Sequence, residues 1–190
     1  QGKEPSCSGA SVKPFVHLGY HLQTHVLELY FRSPRTGYWL SDRKEDQVIA
    51  ATLGAALREV LAELLGVAST EMGFGVRLDR DLDSNQGRSV VQLFDQVSGG
   101  GGFAISAAED IVSTLRRMHE QLLCPADCEN VCSHCLAAGD SRIELTELDR
   151  RKALSWLDEA QYLEHLVLPV PAAAIQGATY CPGGALLAIR

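Results

Sequence analysis

The stretch Cys124-Pro-Ala-Asp-Cys128-Glu-Asn-Val-Cys132-Ser-His-Cys135 decides how the rest of the chain is read. Four of the six cysteines fall inside it, spaced C-x3-C-x3-C-x2-C. Thiolates are soft anionic ligands, and four that converge suit tetrahedral Zn2+ or an iron–sulfur cluster. Bridges between cysteines this close in one turn-rich window would be strained, so disulfides fit poorly. The iron–sulfur spacing C-x2-C-x2-C-x3-C-P differs from this one, which favours zinc. Cys128-x3-Cys132-x2-Cys135 also matches the three-cysteine pattern of radical-SAM enzymes. That fold needs a large barrel after the motif, and only residues 136–190 follow here. A zinc held by four thiolates has no open position for water, so its role is structural. His134 could replace a thiolate, but four cysteines suffice and a solvent-facing His134 is expected.

Working outward, two helical patterns flank the window. Before it, Ser106-Ala-Ala-Glu109 fits a capping box and predicts a helix over about 106–123, with Ile111, Leu115, Met118 and Leu122 as its apolar stripe. Pro125 discourages continuation. After it, Thr146 is placed to cap a second helix whose inward positions include Leu148, Leu154 and Leu157, with Trp156 beside them. A metal in the window would therefore pin two helices at a fixed angle. Arg116-Arg117 and Arg150-Arg151-Lys152 are basic spots that read first as solvated helix faces.

Further upstream, Val48, Ile49, Thr52, Leu53, Ala56, Leu57, Val60, Leu61, Leu64 and Leu65 follow a three-to-four spacing, a core helix over about 46–65 with Gly66 as its stop. Val26-Leu-Glu-Leu-Tyr-Phe31 reads as a strand. Phe74, Val76 and Leu78, then Ser89–Phe94, read as a hairpin. The connection Asp79–Gly87 resembles a calcium loop. Ser84 and Val90 stand where an EF-hand needs Gly and Glu, so a polar connection is expected. His17, His21 and His25 are spaced to share a helix face that could bind metal, but Gly19 argues against a helix there. Ser33-Pro-Arg-Thr-Gly37 is a turn. Residues 1–16 form an irregular lead-in, and one or two short strands are expected in 166–190. Cys7 and Cys181 have no assigned role.

Asp95-Gln-Val-Ser-Gly99-Gly-Gly-Gly102 leads from strand to helix. Backbone N–H groups of such a loop can cradle a phosphate. Neither a Walker A sequence nor a complete G-x-G-x-x-G occurs, and the plainer account is steric: a tight reversal at positive φ and close helix–sheet packing. Asp158-Glu-Ala-Gln161 resembles the acidic box of helicase motors but ends an amphipathic helix, and no Walker A accompanies it. No G-x-S-x-G elbow or H-E-x-x-H helix is present. Catalysis by this chain alone is not expected.

The chain of 190 residues is long enough for one core, burying roughly 70% of its unfolded surface. Its apolar fraction, 46%, and charged fraction, 22%, are those of an ordinary globular domain. A formal charge of −7 argues against a self-sufficient phosphate-binding surface. No apolar run reaches the length of a membrane span and no signal peptide opens the sequence, so no membrane partner and a cytoplasmic location are expected. The first residues lack an initiator Met, which suggests a domain excised from a larger protein.

Gln23-Thr-His-Val-Leu-Glu-Leu29, Leu93-Phe-Asp-Gln-Val-Ser-Gly-Gly-Gly-Gly-Phe103, the four cysteines and Leu148-Asp-Arg-Arg-Lys-Ala-Leu154, taken in order, resemble the MrfA-type zinc-binding domain over roughly Leu18 to Asp158. This module sits at the C-terminal end of certain DNA-repair helicases, with similar ones in phage-defence systems such as DISARM. The resemblance implies Asp95, Gly99, Gly100 and Gly102 as the family's loop and Cys124, Cys128, Cys132 and Cys135 as its zinc ligands. It also implies a helicase motor in cis or in trans, with nucleic acid reached through that partner. One departure stands out: the family often has Thr-Asp before its first strand, where this chain has Thr24-His25, so support for the glycine loop must differ here.

The expectation is one α+β domain over 17–190: a small mixed sheet, packed helices and a four-cysteine zinc knuckle. Its leading function is a noncatalytic, zinc-stabilised accessory module of a helicase in DNA repair or antiviral defence. Alternatives are a direct nucleic-acid-binding module and a small enzyme that binds a phosphorylated ligand at the glycine loop.

Overall fold

A computed structural model describes residues 21, 23–136 and 148–166. The lead-in, His17, Cys7, Thr146, Cys181 and the strands expected in the tail beyond Leu166 lie outside the described residues.

Helix α1 (Lys44–Leu65) organises the fold. Its three-to-four stripe buries Ile49, Leu53, Ala56, Leu57, Val60 and Leu61. Gly66 ends it as expected, at φ 66°, with the Gly66 N–H on the Glu63 carbonyl and the Val67 N–H on that of Ala62. Such a left-handed stop comes cheapest to glycine. Near the start, the Asp46 carboxylate accepts the Ser41 N–H at 2.8 Å.

Strands β1 (Val26–Tyr30), β2 (Met72–Arg80) and β3 (Gly87–Asp95) form one sheet in the order β1-β3-β2. Both pairings are antiparallel, so the described sheet is not mixed as expected from the sequence, while the α+β class holds. The register sets Leu27, Leu93 and Phe74 in one row and Leu29, Val91 and Val76 in the next. Because successive side chains alternate faces, these rows make one apolar face, and α1 packs on it. The approach is close at Gly54, where an added Cβ would lie 2.9 Å from the Phe74 ring.

The opposite face carries a cross-linked polar cluster. Arg77 donates to both oxygens of Glu28 at 3.0 Å, and Gln92 donates to the same carboxylate at 2.7 Å. Hydrogen bonding by Arg77 outweighs burial and holds the Glu28 carboxyl below its ordinary range. In the hairpin connection, Arg88 binds Asp79 and Asp81, while Asp81 also accepts from Ser84. These carboxylates serve the turn, as the missing EF-hand positions imply.

The single helix expected over 106–123 is two. Helix α2 (Phe103–Glu109) stops at Asp110, and α3 (Ile111–Leu123) restarts there. Asp110 has φ −133° and ψ 59°, outside the helical region, and its carboxylate accepts the Ser113 N–H. The chain therefore uses Asp110 as a cap, not Ser106. The stripe of Ile111, Leu115, Met118 and Leu122 is buried as the periodicity predicts. Helix α4 (Arg150–Glu159) is capped by Asp149, whose carboxylate accepts the Lys152 N–H at 3.0 Å. Both α3 and α4 pack on α1, and Trp156 joins Phe31 and Tyr162 in an aromatic cluster with centroids 5.6 to 6.3 Å apart.

A candidate metal centre

The window begins where α3 cannot continue. Cys124 has φ 46°, and Pro125 follows it. The Asp127 N–H closes a turn onto the Cys124 carbonyl at 2.9 Å, with Asp127 itself at φ 43°. A second turn closes from Cys135 N–H to Cys132 carbonyl at 3.1 Å. The two turns bring all four cysteines to one point: Cys124 and Cys128 from the first, Cys132 and Cys135 from the second. The Cys124 and Cys135 side chains merge into the core beside Leu122, Leu136 and Leu148.

All four Sγ atoms lie within 4.8 Å of one another. Cys124 and Cys132 are separated by 3.7 Å, Cys128 and Cys135 by 3.7 Å, and Cys132 and Cys135 by 3.9 Å. Bonds of about 2.3 Å to one tetrahedral zinc require sulfurs about 3.8 Å apart. A disulfide brings its sulfurs to about 2.05 Å, and these cysteines are unpaired. An iron–sulfur cubane places its own irons and sulfides between the thiolates and spreads them further. The donor set and its spacing fit a single zinc ion. Among the described residues this is the one His, Cys, Asp or Glu cluster of that kind.

Nearby donors already stabilise negative sulfur. The Cys132 N–H lies 3.2 Å from the Cys135 Sγ, and the His134 N–H lies 3.4 Å from the Cys132 Sγ. The backbone N–H of Cys128, acting against burial, pulls the Cys124 thiol down to about 6. Burial acts the other way at Cys135, pushed up to about 12, and at Cys128, also raised. Four thiolates in so small a space repel one another, and burial adds to the cost. A divalent cation at their centre reverses both terms, because a coordinating thiol is deprotonated outright.

Arg150 is the residue the sequence did not single out. It belongs to a basic run read as a solvated face, yet it is only 2% exposed. Its Nε donates to the Cys128 Sγ at 3.2 Å, its Nη1 to the Leu122 carbonyl at 3.3 Å and its Nη2 to Asp127 Oδ1 at 2.7 Å. Its partner residues in the run are engaged as well: Arg151 lies 3.7 Å from Asp127, and Lys152 lies 2.9 Å from Asp149. Only the pairing of basic residues with a nearby Asp and Cys could have hinted at this. His134 is exposed and contributes its backbone, as expected.

Residues 53–136 match the family model of the MrfA Zn-binding domain. The resemblance read from the sequence therefore holds over this span. The matched residues run from the middle of α1, through the hairpin and glycine loop, to Leu136 just after the fourth cysteine of the window. No curated protein and no solved structure matches the chain. The zinc that the MrfA Zn-binding domain is named for and the tetrahedral sulfur set agree, so this is a zinc-binding domain with a structural metal.

The glycine loop lies apart from that centre. Gly99, Gly100 and Gly102 have φ of 90°, 79° and 83°, which explains why glycine stands at these positions. Asp95 is fully buried, and its carboxylate accepts the Gly102 N–H at 2.7 Å and the Ala104 N–H at 2.9 Å. A carboxylate of the chain thus stands where a phosphate would sit at the start of α2. His25 lies with its Nδ1 3.8 Å from Asp95 Oδ2, and a Cβ on Gly100 would collide with its ring. Thr24 donates to the Asp95 carbonyl at 2.8 Å. His21 and His25 are not on a helix, in keeping with the argument from Gly19 against a shared helical face.

Proposed function

We propose that this chain is a noncatalytic accessory domain that serves an ATP-driven DNA helicase or translocase, in cis or in trans, in DNA repair or antiviral defence. The observation that carries this reading is the four-sulfur centre set between α3 and α4: four thiolates saturate a tetrahedral ion, leaving it an architectural task. The match to the MrfA Zn-binding domain supports the zinc-binding part of this reading, and the motor is what the resemblance read from the sequence implies. Two features favour partnership over chemistry or direct nucleic-acid binding. Asp95 occupies the N–H groups that would hold a phosphorylated ligand. Arg150, the first of the basic run at 150–152, is buried against Cys128 and Asp127 and closed to a nucleic-acid backbone.

The test is to assay the helicase that accompanies this chain for DNA-stimulated ATP hydrolysis and unwinding, with wild-type chain and with Cys132→Ser. Coupled loss of both activities in the variant, with no ATP hydrolysis by the isolated chain, is expected. Equal motor activity with either form would refute the helicase role. Elemental analysis in parallel should give one equivalent of zinc and no iron.

A further inference from the structure

We propose that Arg150 is the positioning residue of the zinc site, fixing Cys128 and the start of α4 so that metal binding and helix docking are one event. The inference rests on the zinc assignment of the four cysteines. A guanidinium carries five N–H donors in a rigid planar fork. Here its three nitrogens go to three acceptors on two segments: the last turn of α3 at Leu122, and the adjacent pair of the turn residue Asp127 and the ligand Cys128. The backbone N–H of Arg150 adds a fourth tie, to the Asn130 carbonyl at 3.1 Å, between the second and third ligands. One residue thus joins α4 to the end of α3, to the first sulfur-bearing turn and to the link between the two turns.

Charge gives the reason for a cation at this point. The Arg150 side chain is 3% exposed, whereas that of Asp127, its carboxylate partner, is 85% exposed and mostly solvated. A buried guanidinium is costly unless anionic charge lies beside it. A zinc tetrathiolate carries two net negative charges, and the Cys128 sulfur is the part of it that Arg150 touches. Each group lowers the cost of burying the other. Groups that hydrogen-bond to metal ligands orient them and tune their basicity. Lysine would keep the charge but lose the fork. Arg151, exposed and reaching the same Asp127, is a control of equal charge.

The experiment uses the full chain as wild type, Arg150→Met, Arg150→Lys and Arg151→Met. Zinc affinity is read by competition with a chromogenic chelator, and the thiolate-to-metal charge-transfer band is read after cobalt(II) substitution. Arg150→Met should bind zinc about 10- to 100-fold more weakly, Arg150→Lys should fall between it and wild type, and Arg151→Met should match wild type. Loss of the N–H···S bond leaves the sulfur more electron-rich, so the cobalt band should move to lower energy in both Arg150 variants. Arg150→Lys keeps the test decisive should Arg150→Met not fold. Wild-type affinity in both Arg150 variants would overturn the proposal, as would weakened binding with an unmoved band, the mark of a merely structural role. Wild-type chain that binds no zinc would overturn the site itself, a distinguishable failure.

Discussion

The α1–sheet body and the cysteine window are ordered by different physics. In the body, Leu53, Leu57, Val91 and Leu93 are wholly buried, and each neighbour supplies apolar surface to the next. Burial of such side chains contributes about 1.5–3 kcal/mol each. The window has almost nothing of the kind. From Pro125 to His134 it offers only Ala126 and Val131 as apolar side chains apart from its cysteines. Its order comes from sulfur ligation, two backbone turns and the Arg150 fork. The body should therefore respond to lost volume, and the window to lost metal.

The largest expected effect separates the two directly. Stripping zinc with a chelator, or replacing Cys132 by Ser, should abolish hydrogen-exchange protection at the end of α3 and the start of α4, while α1 and β3 stay protected. Acidification should act in the same sense, since protons compete for the thiolates and zinc affinity falls as pH falls. Equal loss of protection in both regions would mean that the body, too, depends on the metal.

Conversely, Leu93→Ala in the body should cost about 2–5 kcal/mol in denaturant unfolding. Below the unfolding transition that variant should still hold one equivalent of zinc. Loss of metal under those conditions would show that the body and the window are a single cooperative unit.

A smaller effect sharpens the comparison at the glycine loop, where a buried carboxylate does what the metal does in the window. Asp95→Ala leaves two N–H groups at the start of α2 without their acceptor and should cost about 1–3 kcal/mol per unsatisfied group at most. Zinc content should not change. Gly100→Ala should also destabilise, through its positive φ and the His25 ring.

The smallest effect lies on the polar sheet face. Glu28→Gln should cost up to about 1 kcal/mol at neutral pH, in line with a partly exposed ion pair. Because the folded Glu28 carboxyl titrates below its unfolded value, its contribution is present above the unfolded value and is lost as pH falls through the folded one. Stability curves of wild type and Glu28→Gln should therefore converge at acid pH. Parallel curves would mean the network carries no net charge interaction.

Some of this architecture was legible because its physical cause is periodic or local. The stripe of α1 and its Gly66 stop, the hairpin, and the sulfur-rich window each write their reason into neighbouring residues. The helix break at Asp110 was not, since Ser106-Ala-Ala-Glu109 satisfies a capping rule equally well on paper. The start of α2 is capped instead by Asp95, which arrives from the end of a strand and leaves Ser106 inside the helix.

By itself, then, the amino-acid order determined that a metal ion, with zinc favoured over an iron–sulfur cluster, would be gripped between two helices, because four thiolates so closely spaced have few other stable outcomes. Tertiary structure alone decided what surrounds that ion and the glycine loop. It turned Arg150 from a surface cation into a buried donor, and it set Asp95 at the N–H groups a ligand would need. Arg150 meets Cys128 and Asp127 across a long separation in sequence, and Asp95 meets the Gly102 and Ala104 N–H groups across a short loop; in both cases only the folded backbone fixes the distance.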